Sequence, residues 1–273
     1  MKLIYHPDCL QYSTPGHPES PQRIKTAYNF LKDKYDFLTP EPATDKQILV
    51  VHTPTHINQL KSGNFSNLDS PNYPDIYSYA ALSAGAAIMA MQNQSFSLMR
   101  PPGHHAGPKT IAGFCYLNNL AIAIKVSQKP TLIIDIDGHH GDGTQAIFLN
   151  DPQIIYLSLH TSPNYPGTGL TSQANCHNYP LPLNCGDQVY LETLNHALNK
   201  IDLSRIQQIA VSAGFDTYEK DPLASLGLTT QSYKNIGKII QQLNLPTFAV
   251  LEGGYHSQSL GPNIHSLLQG LSL

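Results

Sequence analysis

Residues 135–140 read Asp-Ile-Asp-Gly-His-His. In an extended chain, residues two apart point the same way. Asp137 and His139 then face one point together, provided the extended geometry persists past Gly138. A third ligand must come from elsewhere, and Asp216, at the end of a separate apolar run, is the best candidate. Two carboxylates, one imidazole and positions left open for water and substrate suit a catalytic divalent ion such as zinc. Standing alone, the same residues are equally compatible with helix-capping aspartates and satisfied surface histidines.

A second histidine pair, His104-His105, lies in the stretch RPPGHHA. Such a pair in a Pro/Gly loop can be exposed, but a histidine beside an activated water is the usual proton acceptor. Buried histidines near a metal also need carboxylates to fix tautomer and orientation. Asp135 and Asp142 remain once a metal is satisfied, two aspartates for two histidines. Tyr255 follows Gly253-Gly254. A tyrosine there can simply pack, but paired glycines let backbone approach a ligand closely, and a phenol can donate to a developing oxyanion.

These groups need elements to position them. Five apolar runs, 95–99, 131–137, 154–160, 208–216 and 247–254, are continuous rather than alternating. That pattern predicts parallel strands covered on both faces. Between them, Leu191, Leu194, Leu198 and Ile201 recur at helical spacing after Asp187, a plausible N-cap, and Tyr233, Ile236, Ile240 and Leu243 recur after Thr230. Alternating strands and helices indicate a parallel α/β sheet. Four runs end in polar clusters: RPPGHHA, GHHGDG, FDTYEKD and GGYH. Ligands of open parallel sheets bind beyond the carboxyl ends of the strands, so the four clusters are expected to converge.

No repeat or linker divides the chain, and residues 1–273 are treated as one domain. Sixteen basic against 19 acidic residues, a formal net charge of -3, argue against a direct nucleic-acid partner. Cys9, Cys115, Cys176 and Cys185 form no CxxC pair and read as free thiols in a reducing compartment. His6 and Pro7 come too early for a secretory signal, and the small-apolar stretch 80–91 is too short to span a bilayer, so it reads as a packed helix. A soluble cytoplasmic protein with no membrane partner is expected. Thirteen histidines are the compositional oddity that invites metal or acid–base chemistry.

Taken together, these residues resemble the histone deacetylase family, including its bacterial acetylpolyamine amidohydrolase and class II-like members. The matching stretches are HPESPQR (17–23), RPPGHHA (100–106), GFCYLNN (113–119), DIDGHHGDGT (135–144), SLH (158–160), YPGTG (165–169), GFDTYEKDPL (214–223) and LEGGYH (251–256). The resemblance implies the three-layer arginase/deacetylase sandwich around a mostly parallel sheet of about eight strands. It implies that Asp137, His139 and Asp216 hold one catalytic Zn2+, that His105 paired with Asp142 is the general base, and that His104 paired with Asp135 is its electrostatic partner. Tyr255 would polarise the scissile carbonyl. Gly113, Phe114, Tyr165 and Gly254 would line the substrate path, with Tyr165 standing where many relatives have Phe. Asp69 would grip substrate backbone amides. A structural K+ would use Asp135, Asp137, His139, Ser158 and Leu159. His256 replaces the usual Asn after the tyrosine, and little chain is left for long rim loops.

The chemistry so implied is metal-assisted amide hydrolysis. The substrate is an acylated lysine in a peptide or protein, or an acetylated polyamine. A non-catalytic acyl-lysine binding module is the reading from another class, and no residue is missing that would favour it. Leu223 occupies the rim position where polyamine-specialised relatives can carry a glutamate. An apolar side chain there offers no attraction to a cationic amine but can pack on a lysine stem. It tilts the expectation toward acyl-lysine.

Overall fold

The structure is a computed structural model and describes residues 1–272. Its centre is one sheet of β1 (Leu3–Ile4), β2 (Phe37–Leu38), β3 (Phe96–Ser97), β4 (Thr131–Asp135), β5 (Ile154–Thr161), β6 (Cys176–Leu181), β7 (Gln208–Ala213) and β8 (Thr247–Leu251). The strand order is β2-β1-β3-β8-β7-β4-β5-β6, and every neighbouring pair is parallel. The five continuous apolar runs all supply strands. Every residue of β4 and β7 is buried, as strands covered on both faces must be. β1, β2 and β6 were not read from the sequence. The first two are only two residues long, and β6 is an edge strand carrying Pro180, which an edge tolerates.

Nine α-helices flank the sheet among the described residues: α1 (Pro21–Leu31), α2 (Asp45–Ile48), α3 (Pro54–Ser62), α4 (Ile76–Asn93), α5 (Asn119–Ser127), α6 (Asp142–Phe148), α7 (Gly186–Leu198), α8 (Thr230–Gln241) and α9 (Ser257–Leu271). The alanine-rich stretch 80–91 lies in α4, which packs on α5, β8, β3 and β1. No helix among the described residues is long and apolar enough to cross a membrane. α1, α9, α8 and α7 form a second chain of packed helices. Tyr233, Ile236 and Ile240 are the buried stripe of α8, as their spacing predicts.

One cap expectation is corrected. The N-cap of α7 is Cys185, so Asp187 lies inside its helix, while α8 begins at Thr230. Tertiary contact outbids local capping there: the Asp187 carboxylate accepts the Thr229 N–H (2.8 Å) and hydroxyl (2.7 Å). Ile201 and Leu243 fall beyond their helix ends.

One buried ion cluster fixes the amino-terminal segment to the sheet. Glu19, 2 % exposed, accepts Arg100 Nε (2.7 Å) and Nη2 (2.8 Å), and Arg23 Nη1 (3.2 Å). Arg100 also donates to Cys9 O (2.7 Å) and Tyr12 O (3.0 Å) and stacks on the Tyr12 ring. Burial works to raise the Glu19 pKa, but Arg100, and behind it Arg23, outweigh it and hold the carboxyl below its usual range. The resulting stabilisation is present above the ordinary glutamate pKa and is lost as pH falls through the depressed one. Glu19→Ala strands two buried guanidiniums and is expected to cost about 3–5 kcal/mol, the usual cost of breaking a buried pair. Thermal and urea denaturation measure it, and a loss below about 1 kcal/mol, the surface-pair range, would contradict the assignment.

Candidate active site

β3, β8, β7 and β4 are contiguous in the sheet, so the clusters that follow them emerge side by side. The extended geometry does not persist past Gly138. β4 ends at Asp135, and the chain then turns on its own aspartates. The Asp137 N–H donates to Asp135 Oδ1 (3.1 Å), and the His139 N–H to Asp137 Oδ1 (2.9 Å). That turn still brings His139 beside Asp137: His139 Nδ1 lies 3.1 Å from Asp137 Oδ1 and 2.8 Å from Asp216 Oδ2. Asp137, His139 and Asp216 form the one buried group of three possible metal ligands among the described residues, their offered atoms all within 4.8 Å.

The backbone holds the two carboxylates in place. Gly138 N–H donates to Asp216 Oδ1 (2.7 Å) and Gly253 N–H to Asp137 Oδ2 (2.8 Å). A Cβ on Gly253 would stand 2.6 Å from both Asp137 Oδ2 and Asp216 Oδ2, so only glycine permits the approach. Asp216 Oδ2 has no hydrogen-bond donor, because His139 Nδ1 sits near it but off the line a hydrogen bond requires. Burial and the charge of Asp137 push Asp216 up to about 7. On His139, burial is overridden by Asp137 and Asp216, which raise it to about 10. An orphaned carboxylate oxygen, an imidazole and a second carboxylate, buried with excess negative charge, fit a divalent cation.

The histidine pair sits beside this triad. His105 Nδ1 meets Asp142 Oδ1 at 2.7 Å, and His104 Nδ1 meets Asp135 Oδ2 at 3.3 Å, the same pairs the resemblance implies. Asp135 Oδ2 also accepts the Tyr156 hydroxyl (3.0 Å). The adjacent imidazoles titrate in opposite directions. Burial, then the neighbouring His104, press His105 down to about 4, with Asp142 resisting. On His104, burial is overcome by Asp137 and Asp135, and its pKa rises. Two titrating groups pushed apart by their surroundings are the pattern of an acid–base pair.

A cavity of about 230 Å³ opens above them. His105, His139 and Tyr255 face it, and Gly113, Phe114, Tyr165, Asp69, Leu223 and Asn164 complete its lining. The Phe114 ring stands edge-on to Tyr255 at 5.8 Å, and Tyr165 edge-on to His105 at 5.1 Å. Gly113 has φ +51°, and a Cβ there would overlap the His105 ring. Gly254 stands outside the lining; its carbonyl accepts Arg23 Nε (2.6 Å). Ser158 is the register partner of Asp135, so Asp135, Ser158 and Leu159 of the expected potassium set lie on adjacent strands, with Asp137 and His139 in the turn after β4.

Sequence reasoning missed several groups. Asn164 at the rim had no signal. Asp221 accepts the Tyr255 N–H (2.6 Å) and the Leu223 N–H (3.0 Å), tying Tyr255 to the rim. Arg23 places its guanidinium 4.7 Å over the Tyr255 ring. Glu252 is buried behind His104. Both Arg23 and Glu252 lie inside quoted motifs, HPESPQR and LEGGYH, but pairing them needs the fold.

A profile of the histone deacetylase domain matches residues 17–271. A probable deacetylase of Archaeoglobus fulgidus is 34% identical over 95% of this chain and 82% of its own. Acetylpolyamine amidohydrolase 1 of Pseudomonas aeruginosa is 36% identical over 71% of this chain and 61% of its own. The crystal structure of acetylpolyamine aminohydrolase from Burkholderia pseudomallei matches with a TM-score of 0.93 at 25% identity, covering 100% of this chain and 98% of that one.

Metal bound only by the native fold stabilises it. Stripping the protein with a chelator is expected to lower Tm, and stoichiometric Zn2+ to restore it. Asp216→Ala is expected to abolish the zinc-induced shift and the retained metal. Full metal occupancy in that variant would reject the triad.

Proposed function

The chain belongs to the histone deacetylase family, and from that premise we propose that it is a zinc-dependent amidohydrolase removing acetyl or longer acyl groups from lysine side chains of peptides or proteins. One observation carries the reading: the Asp137–His139–Asp216 triad, the Asp142-held imidazole of His105 and the ring of Tyr255 meet at one narrow cavity. Asp137, His139 and Asp216 would hold the ion, which when bound supplies Lewis acidity to the carbonyl and lowers the pKa of a water.

The protein's own groups do the rest. Phe114 and Tyr165 wall the cavity and enclose an aliphatic stem. His105, kept neutral by burial and oriented through Nδ1 by Asp142, presents Nε2 as the proton acceptor for the attacking water. Tyr255 is held fully protonated, chiefly by burial, and donates its hydroxyl to the developing oxyanion. His104, whose protonated form Asp135 and Asp137 favour, stabilises the anionic intermediate, and a protonated histidine of the pair returns a proton to the departing amine. A structural K+ on the oxygens of Asp135, Asp137, His139, Ser158 and Leu159 belongs to the same reading.

His105 must be neutral to act, so activity is lost as pH falls through its pKa. Because burial depresses that pKa, the acid limb of kcat/KM is expected below the ordinary imidazole value of 6.5. Asp142→Asn removes a raising charge and moves the limb lower still while reducing kcat. A native limb at or above 6.5 would remove His105 from the role.

Acetylated polyamines are the second reading, favoured by the names of two relatives. Leu223, 38 % exposed at the rim, speaks for acyl-lysine, since it offers no charge to a cationic chain. Asp69 at the same rim can accept peptide amides that a polyamine lacks. The native enzyme is expected to show higher kcat/KM on an acetyl-lysine peptide than on acetylputrescine or acetylspermidine. Leu223→Glu is expected to shift that ratio toward the polyamine, since specificity is a difference of affinities. Native preference for acetylpolyamines by about tenfold, or 1.4 kcal/mol, would install the second reading instead.

A further inference from the structure

Glu252 directly follows β8 and is 1 % exposed. Among the described residues no lysine or arginine makes a salt bridge to its carboxylate; Arg23 Nη2 donates instead to its main-chain oxygen (2.6 Å). A buried carboxylate without a lysine or arginine partner is costly to keep, and such groups call for a role. The role is written in its partners. Oε2 accepts the N–H groups of Gly103 (2.6 Å) and His104 (3.1 Å), and Oε1 accepts the Ser212 hydroxyl (3.1 Å). Those two amides begin the turn that carries His104 and His105. The remainder of the turn is tied by Ala106 N–H to Gly103 O (3.0 Å) and by Thr144 N–H to His104 O (3.0 Å). Nothing else among the described residues accepts the Gly103 and His104 amides.

We propose that Glu252 is a positioning residue for the proton-transfer pair: its carboxylate anchors the Gly103 and His104 amides and so sets where the two imidazoles stand relative to Asp137. The inference rests on the proposed roles of His104 and His105. Glu252 touches neither cavity nor substrate, and acts through the turn. Its effect therefore lies in the accepting oxygen at the right reach, and the negative charge is secondary.

Two near-isosteric variants separate reach from charge. Glu252→Gln keeps an oxygen at the same reach and removes the charge, its amide nitrogen turning to Ser212. Glu252→Asp keeps the charge and withdraws it by one methylene. On an acetyl-lysine reporter, Glu252→Asp is expected to lower kcat by ~10–100-fold, the usual cost of losing such a supporting group. Its KM should stay within about twofold, as for an interaction lost only in the transition state. Glu252→Gln is expected to keep kcat within about threefold, well inside that loss. Metal content should be native in both. In metal-free protein, the imidazole N–H proton resonance of His104 should be native-like in Glu252→Gln and displaced in Glu252→Asp. That readout needs no turnover, so a native enzyme inactive on the reporter defeats the proposed function and leaves the positioning test standing. A Gln variant down about tenfold or more, whether or not the Asp variant folds, overturns the proposal, as does an Asp variant with native kcat or with a change confined to KM.

Discussion

Four carboxylates, those of Asp135, Asp137, Asp216 and Glu252, are withdrawn from water at the carboxyl end of one sheet. Desolvating that much negative charge is the constraint on which the site depends, because each anion must be compensated locally. Backbone amides supply part of the compensation. Those of Gly103, His104, Asp137, Gly138, His139 and Gly253 all point at these side chains. Imidazoles supply another part: the aspartates beside them favour the protonated forms of His104 and His139. What stays uncompensated is concentrated on Asp216, one of whose oxygens has no donor and whose carboxyl is pushed up by burial and by Asp137. A divalent cation completes such a set more economically than any side chain in reach.

The neighbouring ion cluster works by the opposite rule. Around Glu19 the guanidiniums of Arg23 and Arg100 outnumber the carboxylate, and the cluster serves cohesion. The two systems are nevertheless joined. Arg23 donates to Gly254 O and Glu252 O and covers the Tyr255 ring. Residues 252–255 thus reach the triad through Gly253, the histidine turn through Glu252, and the cavity through Tyr255. One short segment after β8 therefore touches residues that follow β3, β4 and β7 and also lines the cavity, which ties the positions of the triad, the histidine turn and Tyr255 together.

Much of this was legible from local pattern. Continuous apolar runs mark doubly covered strands, and polar clusters behind them mark the ligand end, because burial and strand direction are written in neighbouring residues. Asp137, His139, Asp216, the His104-His105 pair and Tyr255 were singled out by residue type and place, and the family resemblance extended the reading to Phe114, Tyr165 and Asp69. The local geometry was not so legible. Asp137 and His139 meet through a turn stitched by side-chain hydrogen bonds, not along an extended strand. Asp187 looks like a cap until Thr229, 42 residues away, claims its carboxylate.

The sequence by itself determined the class of fold, the donor types and the chemistry they can perform, since these follow from composition and spacing over a few residues. Only the tertiary structure decided which groups meet. Glu252 reaches His104 across 148 residues and Arg23 reaches Glu252 across 229, distances over which no periodicity carries information. Gly253 and Gly214 must lack a Cβ because aspartates from other strands fill that space, and Asn164 joins the rim because the sheet brings its loop there. Contacts of this kind are set by packing and by the need to satisfy buried charge, and both exist only once the chain has closed on itself.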